Sequence, residues 1–256
     1  MDYSIVIPAY NEADKISSTL TQIINFMRTF SDTFEVIVVD DGSSDATAQV
    51  VYDYKRNASE VILVRNAHKG KGVAVSTGVQ KAQGNLIYLA DADLSAPITE
   101  LKKLSVWVVD HDYDIVIASR EGIGAERVGE PFYRHLMGRV FNYMVQIIAL
   151  PGINDSQCGF KLFKKSVAKK IFGMMDVYNT NAKELKEPYT GAWDVEVLFL
   201  ARKLKYTIKE VPVQWIYVKT TRVSPLRDSF KMAKDVLIIR LNDLSGKYKV
   251  KTAKKE

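Results

Sequence analysis

The sequence predicts an α/β fold in which a doubly wound, mostly parallel sheet is flanked by helices. Short, continuously apolar runs recur along the first half of the chain, and such runs are typical of strands buried on both faces. Segments with apolar residues at helical spacing separate these runs. Because strands and helices alternate in this order, we expect parallel strands joined by right-handed crossovers.

The first half of the chain supplies five strands and four helices. Ile16, Leu20 and Ile23 follow the first strand at helical spacing. The second strand ends at two aspartates, after which Ser44 or Asp45 is expected to cap a helix that runs to residue 54. The predicted strands are 4–8, 34–39, 61–64, 86–89 and 115–118, and the predicted helices are 12–30, 44–54, 72–82 and 98–109.

The second half departs from this alternation. Residues 121–131 are rich in glycine and charge, and they predict a mobile loop. We expect helices at 133–150, 167–175, 195–203 and 229–241, with an edge strand at 208–213. No internal repeat or linker is visible. The prediction is therefore one domain over 1–225 and a C-terminal extension over 226–256, which consists of an amphipathic helix and a basic tail.

The composition is that of a globular protein with a modest basic excess. Hydrophobic residues make up 47% of the chain and charged residues 26%, which suffices for a sizeable core. The formal charge of +6 favours anionic partners such as phosphates, nucleotides or acidic lipid headgroups, and we expect no nucleic-acid partner. The single cysteine, Cys158, excludes an internal disulfide and fits a reducing compartment. No signal peptide or membrane-spanning run is visible, so we expect a soluble or peripheral protein.

Polar residues follow four of the predicted strands at the point where each strand ends. Ligands bind beyond the carboxyl ends of parallel strands, so these residues predict one shared cleft. They are Tyr10-Asn11-Glu12 after the first strand, Asp40-Asp41 after the second, Asp91-Ala92-Asp93 after the fourth and Ser119-Arg120 after the fifth.

The Asp91-Ala92-Asp93 turn is the strongest candidate for chemistry. Mg²⁺ is usually held by one or two carboxylates together with substrate phosphates, and two aspartates one residue apart can direct their oxygens to one ion. Since Asp-x-Asp is a common tripeptide, two turn-forming aspartates are the simpler interpretation. The position of the turn after a buried strand favours a site for a metal ion and a diphosphate.

Two further segments fit the same cleft. At Asp40-Asp41 a carboxylate could accept hydrogen bonds from a base or a ribose, or it could cap the following helix. Lys69-Gly70-Lys71-Gly72 opens a helix whose N–H groups favour anions, although a basic loop explains this segment too. A Walker loop is absent, and so is a Gly-x-Gly-x-x-Gly after the first strand, which argues against a dinucleotide dehydrogenase.

The second half carries candidate phosphate ligands and acids. Arginine forks bind phosphate through two hydrogen bonds, although most surface arginines do not. Asp194 and Glu196 begin a helix, where the helix dipole alone would favour them. The three histidines have no metal-ligand spacing and are assigned no function. The basic set comprises Arg120, Arg127, Arg134, Arg139, Lys161, Arg222 and Arg227.

These motifs, in this order, resemble the family 2 inverting glycosyltransferases of GT-A type fold, from residue 4 to about residue 240. Within that family the chain looks most like the dolichyl-phosphate (polyprenyl-phosphate) β-glucosyltransferases. The widely shared motifs are Val6-Ile7-Pro8-Ala9-Tyr10-Asn11-Glu12, Val38-Val39-Asp40-Asp41-Gly42-Ser43-Ser44-Asp45, Asn66 with Lys69-Gly70-Lys71-Gly72, and Asp91-Ala92-Asp93-Leu94-Ser95. The closer match rests on Ser119-Arg120, Asp155-Ser156-Gln157-Cys158-Gly159-Phe160-Lys161, Trp193-Asp194-Val195-Glu196, Val211-Pro212-Val213-Gln214-Trp215 and Arg222-Val223-Ser224-Pro225.

The resemblance implies a metal-dependent transfer of glucose from UDP-glucose to dolichyl or polyprenyl phosphate. Asp91 and Asp93 would bind Mg²⁺ or Mn²⁺ together with the diphosphate. The acceptor phosphate would be received by Arg120, Arg134, Arg139 and Arg222. The nucleotide-sugar would be bound by Pro8, Ala9, Tyr10, Glu12, Asp40, Asp41, Lys71, Asp91, Ala92, Asp93, Gln157 and Lys161.

An inverting transfer needs in-line attack on the anomeric carbon while the nucleoside diphosphate leaves. The metal and the lysines would offset the charge that grows on this leaving group, so Asp93 is expected to be essential for catalysis. A lipid phosphate is largely ionised at neutral pH, since its second pKa is about 6, and it needs no general base. A hydroxyl acceptor would need one, and Asp155 and Asp194 are the candidates.

Several alternatives stay open on the sequence alone. One is transfer of mannose from GDP-mannose to the same acceptor, and another is transfer to a hydroxyl, as in polysaccharide synthesis. A nucleotide-sugar-binding or membrane-docked protein without catalysis is a third, and the intact acids argue against it. A nucleotidyltransferase is a fourth, but it would usually show a Gly-rich signature with a basic residue where this chain has Pro8-Ala9-Tyr10-Asn11-Glu12. We expect a peripheral location on the cytoplasmic face of a membrane, contacted by the helices at 133–150 and 229–241, and a homo-oligomer is possible.

Overall fold

A computed structural model describes residues 1–179, 182–218 and 225–248. Its strands are β1 (Tyr3–Ala9), β2 (Phe34–Asp40), β3 (Val61–Arg65), β4 (Leu86–Leu89), β5 (Ile115–Ser119), β6 (Glu126–Val128), β7 (Lys161–Lys164), β8 (Ile208–Pro212) and β9 (Gln214–Ile216). Its α-helices are α1 (Ile16–Phe30), α2 (Thr47–Lys55), α3 (Lys71–Lys81), α4 (Leu101–Val109), α5 (Phe132–Ile148), α6 (Lys165–Met174), α7 (Trp193–Lys203) and α8 (Pro225–Leu244). A 3₁₀ turn, Ile98–Glu100, leads into α4.

Seven strands form the central sheet in the order β3-β2-β1-β4-β7-β5-β8. Strand β1 pairs in parallel with β2 and β4, and β5 pairs in parallel with β8 at the edge. Strand β7 is antiparallel to both of its neighbours, β4 and β5. The prediction of a doubly wound, mostly parallel sheet is therefore confirmed, and so is the edge strand after residue 207.

The structure differs from the sequence-based elements at several places. Helix α2 begins at Thr47 with Ala46 at its N-cap position, where Ser44 or Asp45 was expected. Strand β7 was not predicted, and it inserts between two strands that precede it in the chain. Residues 121–131 are not simply a loop, because β6 within them pairs in parallel with β9 as a small second sheet. Helix α1 begins at Ile16 rather than at residue 12, since the Glu12 carbonyl first accepts hydrogen bonds from the backbone N–H groups of Lys15 and Ile16.

The core lies in two layers, one on each face of the sheet. Successive residues of β1 and β2 point to opposite faces, so that Val6 and Ile37 join one apolar cluster while Ile5 and Val36 join the other. Helix α7 is buried on all sides from Trp193 to Ala201 and closes the first layer. Among the helices of the described residues, none is long and apolar enough to cross a bilayer.

Candidate active site

The ends of β1, β2 and β4 meet around one solvent-open cavity of about 870 Å³. We call this the donor cavity. Its wall includes nine of the residues expected to bind a nucleotide-sugar, which are Pro8, Ala9, Tyr10, Glu12, Asp41, Lys71, Asp91, Ala92 and Asp93. The structure therefore brings together the strand-end residues that come from separate parts of the sequence.

The Asp91-Ala92-Asp93 turn closes tightly at the end of β4. The backbone N–H of Leu94 donates to the Asp91 carbonyl at 3.1 Å, and Leu94 adopts a φ of 45°, which is uncommon for a branched side chain. Oδ1 of Asp93 accepts hydrogen bonds from the backbone and the hydroxyl of Ser95, at 3.0 and 2.8 Å. These bonds orient the Asp93 carboxylate and hold the turn against the cavity.

Asp91 is fixed by contacts from two other segments. The Lys71 ammonium, at the start of α3, donates to Asp91 Oδ1 at 2.5 Å. On the far side, a Cβ placed on Gly159 would lie 2.3 Å from Asp91 Oδ2, so only glycine leaves room for this carboxylate. Burial lowers the pKa of Lys71, but the charges of Asp91 and Asp194 outweigh burial, and the net shift is upward. Lys71 is therefore a firmly protonated cation in this wall.

The donor set of this turn fits a hard divalent cation. Asp91 and Asp93 present carboxylate oxygens, the ligands that Mg²⁺ and Mn²⁺ prefer, at the wall of the donor cavity. Across the described ranges, no three histidine, cysteine, aspartate or glutamate side chains converge as a metal cluster. Two carboxylates alone leave coordination positions for substrate phosphates, which is the usual way in which proteins bind Mg²⁺.

Asp41 organises the loop that precedes α3. Its carboxylate accepts hydrogen bonds from the backbone N–H groups of Lys69 and Gly70, at 3.1 and 2.8 Å, and lies 2.7 Å from Nδ1 of His68. Burial raises the pKa of Asp41, although these hydrogen bonds oppose the shift. The His68 ring stacks on Tyr10 with centroids 4.0 Å apart, which gives the donor cavity an aromatic platform.

A second cavity, of about 1090 Å³, adjoins the first. We call it the acceptor cavity. Lys71, Thr190 and Asp228 line both cavities, so the two spaces meet at these residues. The wall of the acceptor cavity includes the predicted acceptor or catalytic residues Arg120, Arg134, Arg139, Asp155 and Asp194. Gln157, which was expected to bind the nucleotide-sugar, also lies in this wall and not in that of the donor cavity. The arginines and acids assigned to the acceptor side thus lie apart from the strand-end acids of the donor side.

Most arginines of the acceptor cavity are already paired with carboxylates. The Arg120 guanidinium forms two 2.8 Å hydrogen bonds to Asp155, and Arg127 bonds to Glu121 and Glu130. Arg139 lies 3.6 Å from Glu121 and donates to a backbone carbonyl.

Arg134 differs from these arginines in its surroundings. Its guanidinium lies 5.1 Å from the centre of the Tyr217 ring, and within the described part of the chain no carboxylate pairs with it. A cation–π contact leaves the hydrogen-bond donors of a guanidinium available to an anion. Arg134 is therefore the best placed of these arginines to receive a phosphate.

The two candidate bases differ in their protonation chemistry. Burial raises the pKa of Asp155, but the charge and hydrogen bonds of Arg120 outweigh burial, so the net pKa is lowered. For Asp194 burial dominates over the cations Lys161 and Lys71, and its pKa is raised. A carboxylate of raised pKa is the stronger proton acceptor, so the structure favours Asp194 over Asp155 for this role.

Two residues expected to bind the donor lie in the interior instead. The Lys161 ammonium is fully buried, where it donates to Asp194 and to the Cys158 carbonyl. Asp40 is also fully buried, and its Oδ1 accepts from the Ser43 N–H at 3.1 Å. Both side chains support cavity residues from behind, so neither contacts the cavity space. Cys158 is buried, and burial raises its pKa to about 11. Arg222 lies outside the described residues.

Several cavity residues were not identified from the sequence, and His68, Tyr189, Thr190 and Asp228 are four of them. His68 had only one signal, its position directly before Lys69-Gly70. Tyr189, Thr190 and Asp228 come from segments without a recognisable motif. The backbone of Tyr189 accepts from the Lys71 N–H at 3.3 Å, and its hydroxyl donates to Asp235 of α8 at 2.5 Å. The segment that carries Tyr189 therefore connects the donor cavity to α8.

Comparison with known proteins agrees with this geometry. Residues 4–172 match the family model described as Glycosyl transferase family 2. The dolichyl-phosphate beta-glucosyltransferase of Dictyostelium discoideum is 32% identical over 262 residues, which cover 97% of this chain and 77% of that protein. The human protein of the same name is 31% identical and is matched over 98% of this chain and 79% of its own length.

Solved structures support the fold. Mannosyl-3-phosphoglycerate synthase from Rubrobacter xylanophilus superimposes with a TM-score of 0.67 at 17% identity, covering all of this chain and 77% of that one. Glucosyl-3-phosphoglycerate synthase from Mycobacterium tuberculosis, solved with Mn²⁺, UDP-glucose and phosphoglyceric acid, gives a TM-score of 0.61 at 18% identity, covering 96% and 80%. The chain therefore belongs to glycosyl transferase family 2, has the GT-A fold, and is a glycosyltransferase related over nearly its whole length to the dolichyl-phosphate beta-glucosyltransferases.

Proposed function

We propose that this enzyme transfers glucose from UDP-glucose to dolichyl or another polyprenyl phosphate, with inversion and with a divalent cation. The observation that carries the proposal is the meeting of two cavities at Lys71, one lined by the Asp91-Ala92-Asp93 turn and the other by arginines. Relatives named for transfer of glucose to dolichyl phosphate match nearly the full chain, which supports the choice of sugar and acceptor.

On the donor side, Asp91 and Asp93 would hold Mg²⁺ or Mn²⁺ with the diphosphate. The bound cation would offset the negative charge of the leaving nucleoside diphosphate. Lys71 lies between the two cavities and carries a positive charge of its own, so it can contribute to the same stabilisation. The stack of Tyr10 on His68 offers a surface for the nucleotide base.

On the acceptor side, Arg134 would position the phosphate of the lipid. An oxygen of that phosphate forms a bond to the anomeric carbon, and the bond from this carbon to the diphosphate breaks. The electron pair leaves with UDP. Because the acceptor phosphate is mostly ionised at neutral pH, with a second pKa of about 6, no side chain needs to remove a proton. Positioning by the arginine replaces deprotonation in this reaction.

The test is a panel of radiolabelled nucleotide-sugars incubated with polyprenyl phosphate and Mg²⁺ or Mn²⁺, followed by lipid extraction. We expect label in the lipid from UDP-glucose and loss of transfer when the metal is chelated. Label from GDP-mannose alone would overturn the glucose assignment. Label in no lipid would overturn the acceptor assignment.

The metal site has its own variant test. Asp93→Ala is expected to reduce transfer by at least about a hundredfold in the metal-supplemented assay, since the diphosphate charge is then poorly offset. Asp110→Ala, at an exposed position after α4, is the matched control and should leave the rate unchanged. Full activity of Asp93→Ala would contradict the metal-dependent mechanism.

A hydroxyl acceptor is a second candidate, because Asp194 lines the acceptor cavity with a raised pKa. The dependence of rate on pH separates the two acceptors. With a phosphate acceptor, the rate rises as the acceptor ionises near pH 6, and Asp194→Asn keeps this rise. With a hydroxyl acceptor, Asp194→Asn would abolish the rise in rate with pH that comes from deprotonation of the general base. The location on the cytoplasmic face of a membrane and any oligomeric state stay predictions.

A further inference from the structure

The outer face of α5 reverses the usual pattern of a surface helix. Every exposed residue on this helix is apolar or glycine, whereas a solvated helix places polar residues outward. The large exposed side chains range from 53% to 79% accessible. They are Phe132, Tyr133, Leu136, Val140, Tyr143 and Ile147. Their spacing of three and four residues places them in one stripe, which we call the α5 stripe.

Helix α8 has a related but charged surface. In its described part, from residue 227 onward, the exposed side chains are either large and apolar or basic, and none is acidic. Phe230, Leu237, Leu241 and Leu244 follow one another at helical spacing. Basic residues flank this apolar row, and they are Arg227, Lys231, Lys234 and Arg240. A basic amphipathic helix of this type is typical of segments that lie in a lipid interface.

The two helices pack against each other and also form part of the acceptor cavity. Their buried side chains, including Val145 of α5 and Val236 of α8, share one core cluster. Arg134 and Met137 of α5 and Met232 of α8 line the acceptor cavity. The exposed apolar surfaces and the cavity for the acceptor are therefore carried by the same pair of helices.

We propose that the α5 stripe and the exposed row of α8 form a docking surface for a membrane that contains anionic lipids. Its chemistry matches such a partner, because apolar side chains can enter the acyl boundary while the flanking bases meet negatively charged headgroups. A second copy of the chain is a poorer match, since the bases of α8 would meet like charges across a two-fold contact. The inference extends the proposed function, on which it rests for the presence of a lipid-bound substrate.

The experiment is co-sedimentation of the full chain with vesicles of phosphatidylcholine alone or with about 30 mol% phosphatidylserine. We expect strong binding to the anionic vesicles, weak binding to the neutral ones, and a decrease as salt rises. The double variant Leu136→Asp/Ile147→Asp should lose at least about tenfold in partitioning, because each aspartate places a charge in the acyl boundary. Val109→Asp, at an exposed valine that ends α4, is the matched control and should bind like the parent.

The basic residues are tested separately. Lys231→Gln/Lys234→Gln should reduce binding to anionic vesicles severalfold and leave the weak binding to neutral vesicles unchanged. The matched control removes two exposed lysines on other helices, Lys55→Gln/Lys81→Gln, and should have little effect. Equal vesicle binding by the parent and Leu136→Asp/Ile147→Asp, or no binding by the parent, would overturn the proposal. The proposal would also be overturned if the parent does not bind vesicles and sedimentation velocity shows a parent dimer that Leu136→Asp/Ile147→Asp dissociates.

A soluble acceptor distinguishes this inference from the proposed function. With a short, water-soluble isoprenyl phosphate and no vesicles, Leu136→Asp/Ile147→Asp should transfer glucose at the parent rate, since neither residue lines a cavity. Vesicle binding without transfer to any phosphate would leave the docking surface in place and refute the function. Transfer to the soluble phosphate without vesicle binding would support the function and refute the docking surface.

Discussion

The Lys71 ammonium lies 2.5 Å from Oδ1 of Asp91, the first carboxylate of the proposed metal site. A protein cation therefore contacts the carboxylate that a metal ion would use. If the proposed metal and diphosphate bind here, Lys71 could exchange Asp91 for a phosphate oxygen without leaving the boundary between the two cavities. The pair would accordingly link metal binding to the position of the cation that we propose for stabilising the leaving group.

Removal of the Lys71 charge should separate these two effects. In Lys71→Met, binding of Mn²⁺ alone should tighten by about tenfold, because the competing cation is gone. The rate of transfer should fall by at least about a hundredfold, since a cation next to the diphosphate is lost. Titration of Mn²⁺ by electron paramagnetic resonance and a kinetic assay measure the two quantities. Weaker metal binding in this variant would show that Lys71 does not compete for Asp91.

Gly159 supplies a steric test of the same carboxylate. A methyl group at this position would occupy the space of Asp91 Oδ2, so Gly159→Ala should displace the carboxylate and reduce transfer by about a hundredfold. Gly173→Ala is the matched control, because the nearest atom to its added Cβ is 3.8 Å away. The control should keep full activity. Comparable activity of the two variants would show that the position of Asp91 does not limit the reaction.

The buried pair of Arg120 and Asp155 should make stability depend on pH. The folded pKa of Asp155 is lowered below its unfolded value, so its contribution is complete above about pH 4 and is lost as the pH falls further. Asp155→Asn should lower the free energy of unfolding by about 3–5 kcal/mol at pH 7, with a smaller difference at pH 3. Urea unfolding at both pH values measures this.

The control for that experiment is Asp112→Asn. Its carboxylate pairs with Lys164 but is 93% exposed, so the variant should cost less than about 1 kcal/mol at either pH. A constant difference between the parent and Asp155→Asn from pH 7 to pH 3 would contradict the assignment of the pH effect to this carboxylate.

Asp235 of α8 should position the wall of the donor cavity. It accepts hydrogen bonds from the hydroxyls of Tyr178 and Tyr189, and Tyr189 lines that cavity. Asp235→Ala should lower stability by about 1–3 kcal/mol, because two hydroxyls lose their acceptor. It should also raise the KM for the donor more than it lowers kcat.

The conservative variant makes this prediction specific. Asp235→Asn keeps one accepting oxygen and should restore much of the donor affinity, whereas Asp53→Ala, on the exposed face of α2, should change neither quantity. Initial rates over a range of donor concentrations, together with urea unfolding, give the comparison. A loss of stability in Asp235→Ala with an unchanged KM would reduce its role to that of a structural contact.

The sequence was informative where residues with ligand-binding side chains directly follow a strand. Asp41, Asp91 and Asp93 could be placed in one cleft because the carboxyl ends of parallel strands share an edge. The same reasoning missed β7, since four residues with a lysine at each end show neither a buried run nor an alternation.

Residues that depend on distant partners were harder to place. The charge of Lys161 suggested a contact with substrate, but it is buried against Asp194, on a helix that meets β7 only in the folded chain. Burial of a charged side chain becomes predictable only when its partner is known. His68, Tyr189 and Asp228 reach the cavities through loop and helix geometry that local spacing does not encode.

The position of β7 also bears on how the active site assembles during synthesis. Strand β4, which leads into the Asp91 turn, has β7 as its partner on one side, and Gly159 just before β7 packs on Asp91. During synthesis, every donor-binding motif of the first half is therefore translated before β7, the strand that covers the open edge of β4. Until residue 164 has emerged, the nascent chain exposes an unpaired edge of β4, which invites pairing with other chains. We infer that this enzyme becomes competent late in translation, and that its early nascent chain is the form most in need of a chaperone.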